Sequence, residues 1–179
     1  MPTTAPAVRA SSAAPRRPKF DSLEQQAYLN LWRTYDRLRA AEDELFGAYD
    51  LTAQQYNVLR LLRGEHPGTL PTLELAGRLI SRAPDITRML DHLERRALIE
   101  RLRLAENRRV VRVGITRAGL ALLRKLDRPV RNCHERQLGH LPAAQLRQLI
   151  DLLEAARQPH ESAAGPWAAK QTTSSKQET

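Results

Sequence analysis

The chain has 179 residues and a formal net charge of +9 at pH 7, from 29 Lys and Arg against 20 Asp and Glu. This length suits one domain with tails. Only four of the basic residues are lysines, which leaves 25 arginines. The excess of positive charge favours a polyanion as partner, and the planar guanidinium fits phosphates and guanine edges. Because arginine richness also follows from codon bias, charge alone does not assign a function.

Several classes of protein are excluded at once. The single cysteine, Cys133, excludes an internal disulfide framework and fits a reducing cytosol. The chain has no run of about 18 apolar residues, so we expect no membrane-spanning helix and no membrane partner. The N-terminus lacks the apolar core of a secretory signal. We therefore expect a soluble, cytoplasmic protein.

The two ends of the chain differ in composition from its middle. Residues 1–20 and 158–179 consist mainly of Ala, Pro, Ser and polar residues. Such segments cannot bury enough apolar surface to offset the entropy of ordering. The sequence therefore predicts a disordered basic N-terminal tail, one domain at 21–157 and a disordered C-terminal tail. The N-terminal tail is expected to be solvated, and the alternative is that its basic residues add contacts to phosphates.

Residues 22–96 have a helical period. Leucines recur every seven residues in 22–47, and Thr52 with Gln55 forms a capping-box pattern before a second helix that ends near Gly64. The stretch 71–80 predicts a short helix, and 82–96 a further one. In that last helix the expected inward face is Ile86, Met89, Leu90 and Leu93, and the expected outward face is Asp85, Arg88 and His92.

The period then changes to two residues. Residues 101–104 and 111–115 alternate, and polar residues 105–109 between them predict a β-hairpin. The side chains expected to point inward are Leu102, Leu104, Val111, Val113 and Ile115. Leucine-rich helices follow at 117–138 and 142–157. The predicted fold is mostly α with a small β-hairpin (α+β), in the order of a winged helix-turn-helix at about 51–116.

In this order of elements, the second helix of the pair fits the DNA major groove and the hairpin reaches the neighbouring minor groove. The residues of this helix that are candidates for reading DNA, called reader residues below, are Arg82, Asp85, Thr87 and Arg88. Arg88 either forks onto guanine or contacts a phosphate, Asp85 either accepts from cytosine or caps the helix, and Thr87 fits a phosphate. The alternative is an ordinary amphipathic surface helix.

The hairpin adds its own candidates. These are Asn107, Arg108 and Arg109, with Arg109 at the tip for the minor groove and Arg108 on a phosphate. A solvated hairpin is the alternative. Three further arginines are expected on the outer face of the strands, namely Arg101, Arg103 and Arg112.

Five stretches, "LTAQQYNVLRLL", "LELAGRL", "DITRMLDHLERRALIER", "ENRRVVRVGITRAG" and "LPAAQLRQLIDLLE", resemble in order and spacing the MarR (multiple antibiotic resistance regulator) family, over roughly 25–157. The resemblance implies a transcription regulator rather than an enzyme, and it also implies two partners. These are double-stranded promoter DNA with a pseudo-palindromic site, and a second copy of the chain. The homodimer would form through helices at about 22–47 and 117–157, and release by a small-molecule effector or an oxidant is common in the family.

The chain departs from the family pattern at three positions. The wing reads Asn107-Arg108-Arg109 where the family has Asp-x-Arg, and that aspartate commonly braces the wing arginine. Ile80 and Ala97 stand where the family often has glycines. With alanine at 97, a looser C-cap of the preceding helix is expected.

Two other functions remain open from the sequence. One is a winged-helix adaptor that binds protein instead of specific DNA. The other is a Cys133-based redox sensor or thiol enzyme. Adjacent residues on a helix point in different directions, so Cys133, His134 and Glu135 do not form a catalytic set by position alone. The five histidines form no compact ligand set, so no metal and no cofactor is expected. Core packing is expected for Trp32, Tyr35 and Tyr56, and no effector site is assigned.

Overall fold

The computed structural model describes residues 19–80, 85–104 and 107–161, without the side chains of 104 and 107–109. The helices are α1 (Leu23–Gly47), α2 (Ala53–Glu65), α3 (Thr72–Arg78), α4 (Ile86–Arg95), α5 (Arg117–Leu138) and α6 (Ala143–Arg157). The strands are β1 (Leu70–Pro71), β2 (Ile99–Leu104) and β3 (Asn107–Ile115), and a 3-10 turn (Gln158–His160) follows α6. The chain divides into two compact units after Arg37, within α1.

The first unit is described from residue 19 to 37 and is helical from Leu23. Three of its aromatic side chains are exposed in the single chain: Tyr28 is 63%, Trp32 60% and Tyr35 59% accessible. Core packing of Trp32 and Tyr35 is therefore wrong for the isolated chain. Among residues 19–37 one helical segment is described, and one helix by itself cannot cover its own apolar stripe.

The core of the second unit is built mainly from leucines at helical spacing. Its fully buried side chains include Leu59 and Leu62 of α2 and Leu90 and Leu93 of α4. The capping box at the start of α2 is confirmed, with Thr52 and Gln55 exchanging hydrogen bonds of 2.9 and 3.2 Å.

Tyr56 of α2 packs beside this core. Its ring stacks on Phe46 with the centroids 4.6 Å apart, and the side chain is half-buried. Burial raises the pKa of the Tyr56 phenol above its ordinary value, because the anion loses solvation. The packing role predicted for Tyr56 from the sequence is therefore confirmed.

The sheet has three antiparallel strands in the order β1-β3-β2, whereas the sequence predicted two. The phase of β2 also differs from the prediction. Ile99 lies opposite Ile115 and both are buried, so the odd-numbered residues of β2 face inward. Leu102 therefore lies on the outer face opposite Arg112, 42% exposed, and its predicted inward position is wrong. The buried side chains of Val113 and Ile115 confirm the phase predicted for β3.

The hairpin is longer than predicted. Strand β3 begins at Asn107, which lies opposite Leu104, so only residues 105 and 106 lie between the two strands. The predicted turn of 105–109 is thus too long by three residues. Arg109 lies within β3 and not at the tip.

The "IT..G" motif joins the sheet to α5. The Thr116 hydroxyl accepts a hydrogen bond from the Gly119 amide at 3.1 Å and donates one to the Ala97 carbonyl at 2.7 Å. A Cβ at Gly119 would lie 2.3 Å from the Leu98 carbonyl oxygen and 2.7 Å from Cγ1 of Ile115. Glycine therefore lets the first turn of α5 approach the base of the wing.

Candidate nucleic-acid interface

The N-terminal end of α4 presents three of the four predicted reader residues. Asp85, Thr87 and Arg88 are exposed, while Leu90 and Leu93 of the same helix are buried. The Asp85 carboxylate accepts a hydrogen bond from the Arg88 amide at 2.9 Å and so caps the helix. Arg82 lies outside the described residues.

The C-terminal end of α4 closes in a Schellman motif. The amide of Ala97 donates to the Glu94 carbonyl at 2.8 Å, and that of Leu98 donates to the Leu93 carbonyl at 3.0 Å. Ala97 has φ 54°, in the left-handed region that favours glycine. The expected looser cap is therefore wrong, because the tight turn forms even on alanine.

Arg96 links this end of α4 to the end of α1. Its guanidinium donates to the Tyr49 carbonyl at 3.0 Å and also to the Asp50 carbonyl. Asp50 has φ 52°, and α1 ends with the same two backbone hydrogen bonds as α4. The Asp50 amide donates to the Gly47 carbonyl and the Leu51 amide donates to the Phe46 carbonyl, each at 3.0 Å. One side chain therefore links two helix C-termini that end in the same way.

Arg101 of β2 contacts α4 directly. Its Nη1 lies 2.6 Å from a carboxylate oxygen of Asp91 and 3.4 Å from one of Glu94, and its Nη2 donates to the Thr87 carbonyl at 3.2 Å. Its side chain is only 23% exposed. The prediction that Arg101 lies on the outer face of the strands is therefore wrong, because Ile99 places the odd-numbered residues inward.

The base of the wing is fixed by Arg112, on the outer face as predicted. Its Nε donates to the Thr69 hydroxyl at 2.8 Å, and the Thr72 hydroxyl of α3 donates to the Val111 carbonyl at 3.1 Å. Arg103 lies opposite Val111, on the same face of the sheet as Arg101, so its predicted place on the outer face is wrong although its side chain is exposed. The structure describes only the backbone of Asn107, Arg108 and Arg109, so the contacts predicted for these three side chains lie outside the described part.

A cavity of about 810 Å³ lies beside this network. It is bounded by α3, α4 and both long strands of the sheet. Lining residues include Thr72, Thr87, Leu90, Arg101 and Val110. Sequence reasoning did not find this cavity, because it depends on how the wing packs against α4.

The residues suspected of thiol chemistry are not brought together. Cys133 is 1% exposed, as expected for a packing residue, whereas His134 is exposed and its Nε2 lies 3.3 Å from a carboxylate oxygen of Glu42. Among residues 19–80, 85–104 and 107–161, no three His, Cys, Asp or Glu side chains are placed to bind a metal ion. The helices of that part include none that is long and apolar enough to cross a membrane.

A pair of helices, α3 and α4, followed by a sheet that is fixed against the second helix, defines a winged helix-turn-helix protein. The MarR family model matches residues 51–111. The chain is 59% identical to a MarR transcription factor from Planctomyces limnophilus of known structure, with 76% of this chain and 99% of that chain covered and a TM-score of 0.62. The chain belongs to the MarR family, whose members are transcription regulators and not enzymes.

Two further similarities involve Escherichia coli. The homoprotocatechuate degradative operon repressor is 28% identical over 106 residues, which is 59% of this chain and 70% of that protein. A MarR variant complexed with operator DNA is 24% identical and shares the fold, with a TM-score of 0.64 over 75% of this chain and 94% of that chain. The chain spans 57% to 70% of the length of the curated relatives it matches.

Proposed function

We propose that this chain is a homodimeric, ligand-responsive repressor that binds a pseudo-palindromic promoter site. The observation that carries the proposal is the exposed N-terminal end of α4, where Asp85, Thr87 and Arg88 stand beside a wing fixed at its base. The operator complex of the E. coli MarR variant and the name of the operon repressor support DNA binding and repression. The net charge of +9 favours the same partner.

Arg88 is the residue we assign to base reading. Within the described residues it has no ion pair, and its backbone is fixed by the Asp85 cap. A guanidinium in this place can fork onto O6 and N7 of guanine. Thr87 then fits a phosphate. Asp85, besides capping the helix, lies where it can accept from cytosine N4.

Substitution of Arg88 tests this assignment. Operators are first selected with the wild-type chain from a randomised duplex library, and Kd is then measured by gel shift at physiological salt. Arg88→Ala should cost roughly 1–3 kcal/mol and relax the preference at one base pair per half-site. Arg124→Ala, which removes the same charge from the exposed face of α5, is the matched control and should leave base preference unchanged.

One outcome would contradict the assignment of Arg88, and another would contradict the proposed function. Equal weakening on every duplex would make Arg88 a phosphate contact. If the wild-type chain retards no duplex at physiological salt, DNA reading fails and the adaptor function is favoured.

The wing carries the remaining contacts that we propose. Arg109 enters the minor groove, with Arg108 and Asn107 on the adjacent DNA backbone. Outside the wing, Arg82 contacts DNA ahead of α4. Because narrow A·T-rich minor grooves are the most negative, Arg109→Ala should lose most affinity on sites flanked by A·T. Equal loss on G·C-flanked sites would contradict minor-groove insertion.

A homodimer accounts for apolar surface that is exposed in the single chain. Leu31, Trp32 and Tyr35 of α1 are 48–60% accessible, and Ile150 and Leu152 of α6 are 53% and 62% accessible. Burying such surface stabilises association. Two reading helices then occupy major grooves about 10–10.5 bp apart. Analytical ultracentrifugation should find two chains per selected duplex, and a 1:1 complex would contradict the dimer.

The cavity beside α4 is where we place a small-molecule effector. Arg103 lines it together with Thr87, so the carboxylate of an organic anion can pair with the Arg103 guanidinium beside the reading helix. Homoprotocatechuate is a suitable first probe, given the name of the related repressor. Release of the selected duplex by this compound, lost in an Arg103→Ala variant, is the expected result. Unchanged binding over a series of aromatic acids would remove the effector from the proposal.

A further inference from the structure

Arg101 contacts three groups of α4 that lie on one face of the helix. The Thr87 carbonyl, the Asp91 carboxylate and the Glu94 carboxylate are spaced by four and three residues, so they follow one stripe over two turns. The first of these groups belongs to the same turn as Arg88. The side chain of a wing strand therefore reaches the reading end of α4.

We propose that Arg101 is a positioning residue for DNA reading, an inference that rests on the proposed function. It sets the rotation of α4 relative to the wing. The exposed face with Asp85 and Arg88 then meets the major groove while β2 and β3 reach the minor groove. Arginine suits this role because its rigid fork of N–H donors can bond the backbone carbonyl and a carboxylate at once.

The surroundings of Arg101 make it a poor phosphate ligand. Two carboxylates, at 2.6 and 3.4 Å, more than cancel its positive charge, so the cluster of Arg101, Asp91 and Glu94 is formally negative. A DNA phosphate approaching this cluster is repelled. Arg101 therefore acts on DNA binding through the placement of α4, and not by a direct contact.

The direction in which Asp91→Ala changes DNA affinity distinguishes positioning of α4 from a purely electrostatic effect. Asp91→Ala removes a negative charge near DNA, so charge alone predicts equal or tighter binding. Positioning predicts weaker binding of the selected operator, because α4 loses its link to β2. Glu100→Ala is the matched control. It removes the same charge from an exposed position on β2 that has no ion pair among the described residues.

The experiment compares the Kd of the operator selected by the wild-type chain with that of a scrambled duplex. Asp91→Ala and Arg101→Gln should each weaken operator binding by roughly tenfold and leave the scrambled duplex within about twofold. The double variant should bind no more weakly than either single variant, because both remove the same link. Arg101→Lys should restore part of the affinity, since lysine keeps one ion pair but not the fork.

The salt dependence gives a readout that a general loss of stability would not move. For Arg101→Gln the slope of log K against log salt should stay at the wild-type value, whereas loss of a phosphate contact lowers it by about 0.9. A lower slope, tighter operator binding by Asp91→Ala, or additive effects in the double variant would overturn the inference. If the wild-type chain itself fails to bind its selected duplex, the proposed function fails first. If Arg101→Gln does not fold, Asp91→Ala and Glu100→Ala still decide.

Discussion

Replacing Ala97 by glycine should stabilise the fold. Ala97 has φ 54° at the end of α4, a conformation that costs an L-residue about 1–2 kcal/mol and glycine nothing. Glycine also raises the conformational entropy of the unfolded chain, which lowers the free energy of unfolding by about 0.5–1 kcal/mol. The methyl group of Ala97 is exposed, so no core packing is lost. The net gain is then about 0.5–1 kcal/mol.

Chemical denaturation and thermal melting measure this gain. For a chain of this length the expected rise in Tm is about 1–4 °C. The matched control is Ala40→Gly, in the exposed middle of α1, where glycine should cost about 1 kcal/mol because the helix needs no left-handed residue there. The same substitution thus has opposite signs at the two positions. A loss of stability in Ala97→Gly would refute the argument that backbone strain is stored at this turn.

Two more predictions concern packing and pH. Gly119→Ala should cost about 1–3 kcal/mol in urea denaturation, because the new Cβ would lie 2.3 Å from the Leu98 carbonyl oxygen, and an unchanged midpoint would contradict that close approach. Burial raises the pKa of Tyr56 above its ordinary 10.0, so the unfolded chain loses this proton first and stability falls as pH rises through and beyond 10.0. Tyr56→Phe should remove part of that fall between about pH 9 and 11, and an unchanged pH profile would contradict it.

Helical periodicity was sufficient to predict α4, because its inward face is a local repeat. Leu90 and Leu93 are buried as the i, i+3 spacing predicts, and Asp85 and Arg88 are exposed. The strands were predicted less well. In "IERLRL" leucine and arginine alternate, and hydrophobicity placed Leu102 inward, whereas the contact between Ile99 and Ile115 fixes the opposite phase.

The links between elements could not be predicted from local pattern. Arg101 resembles any other strand arginine until β2 is packed against α4, where Asp91 and Glu94 surround it. Propensity likewise suggested a loose turn at Ala97. Hydrogen bonds from distant residues, such as that of Thr116 to the Ala97 carbonyl, over-determine the turn and impose the left-handed conformation.

The link made by Arg96 has a consequence for how the chain tolerates change. Its acceptors at Tyr49 and Asp50 are main-chain carbonyls, which every amino acid supplies. Side-chain replacement at these two positions therefore keeps the acceptors in place, provided the new residue at 50 accepts a positive φ. A residue inserted or deleted between α1 and α2 would instead move both carbonyls out of reach. This connection is thus permissive in sequence and strict in length.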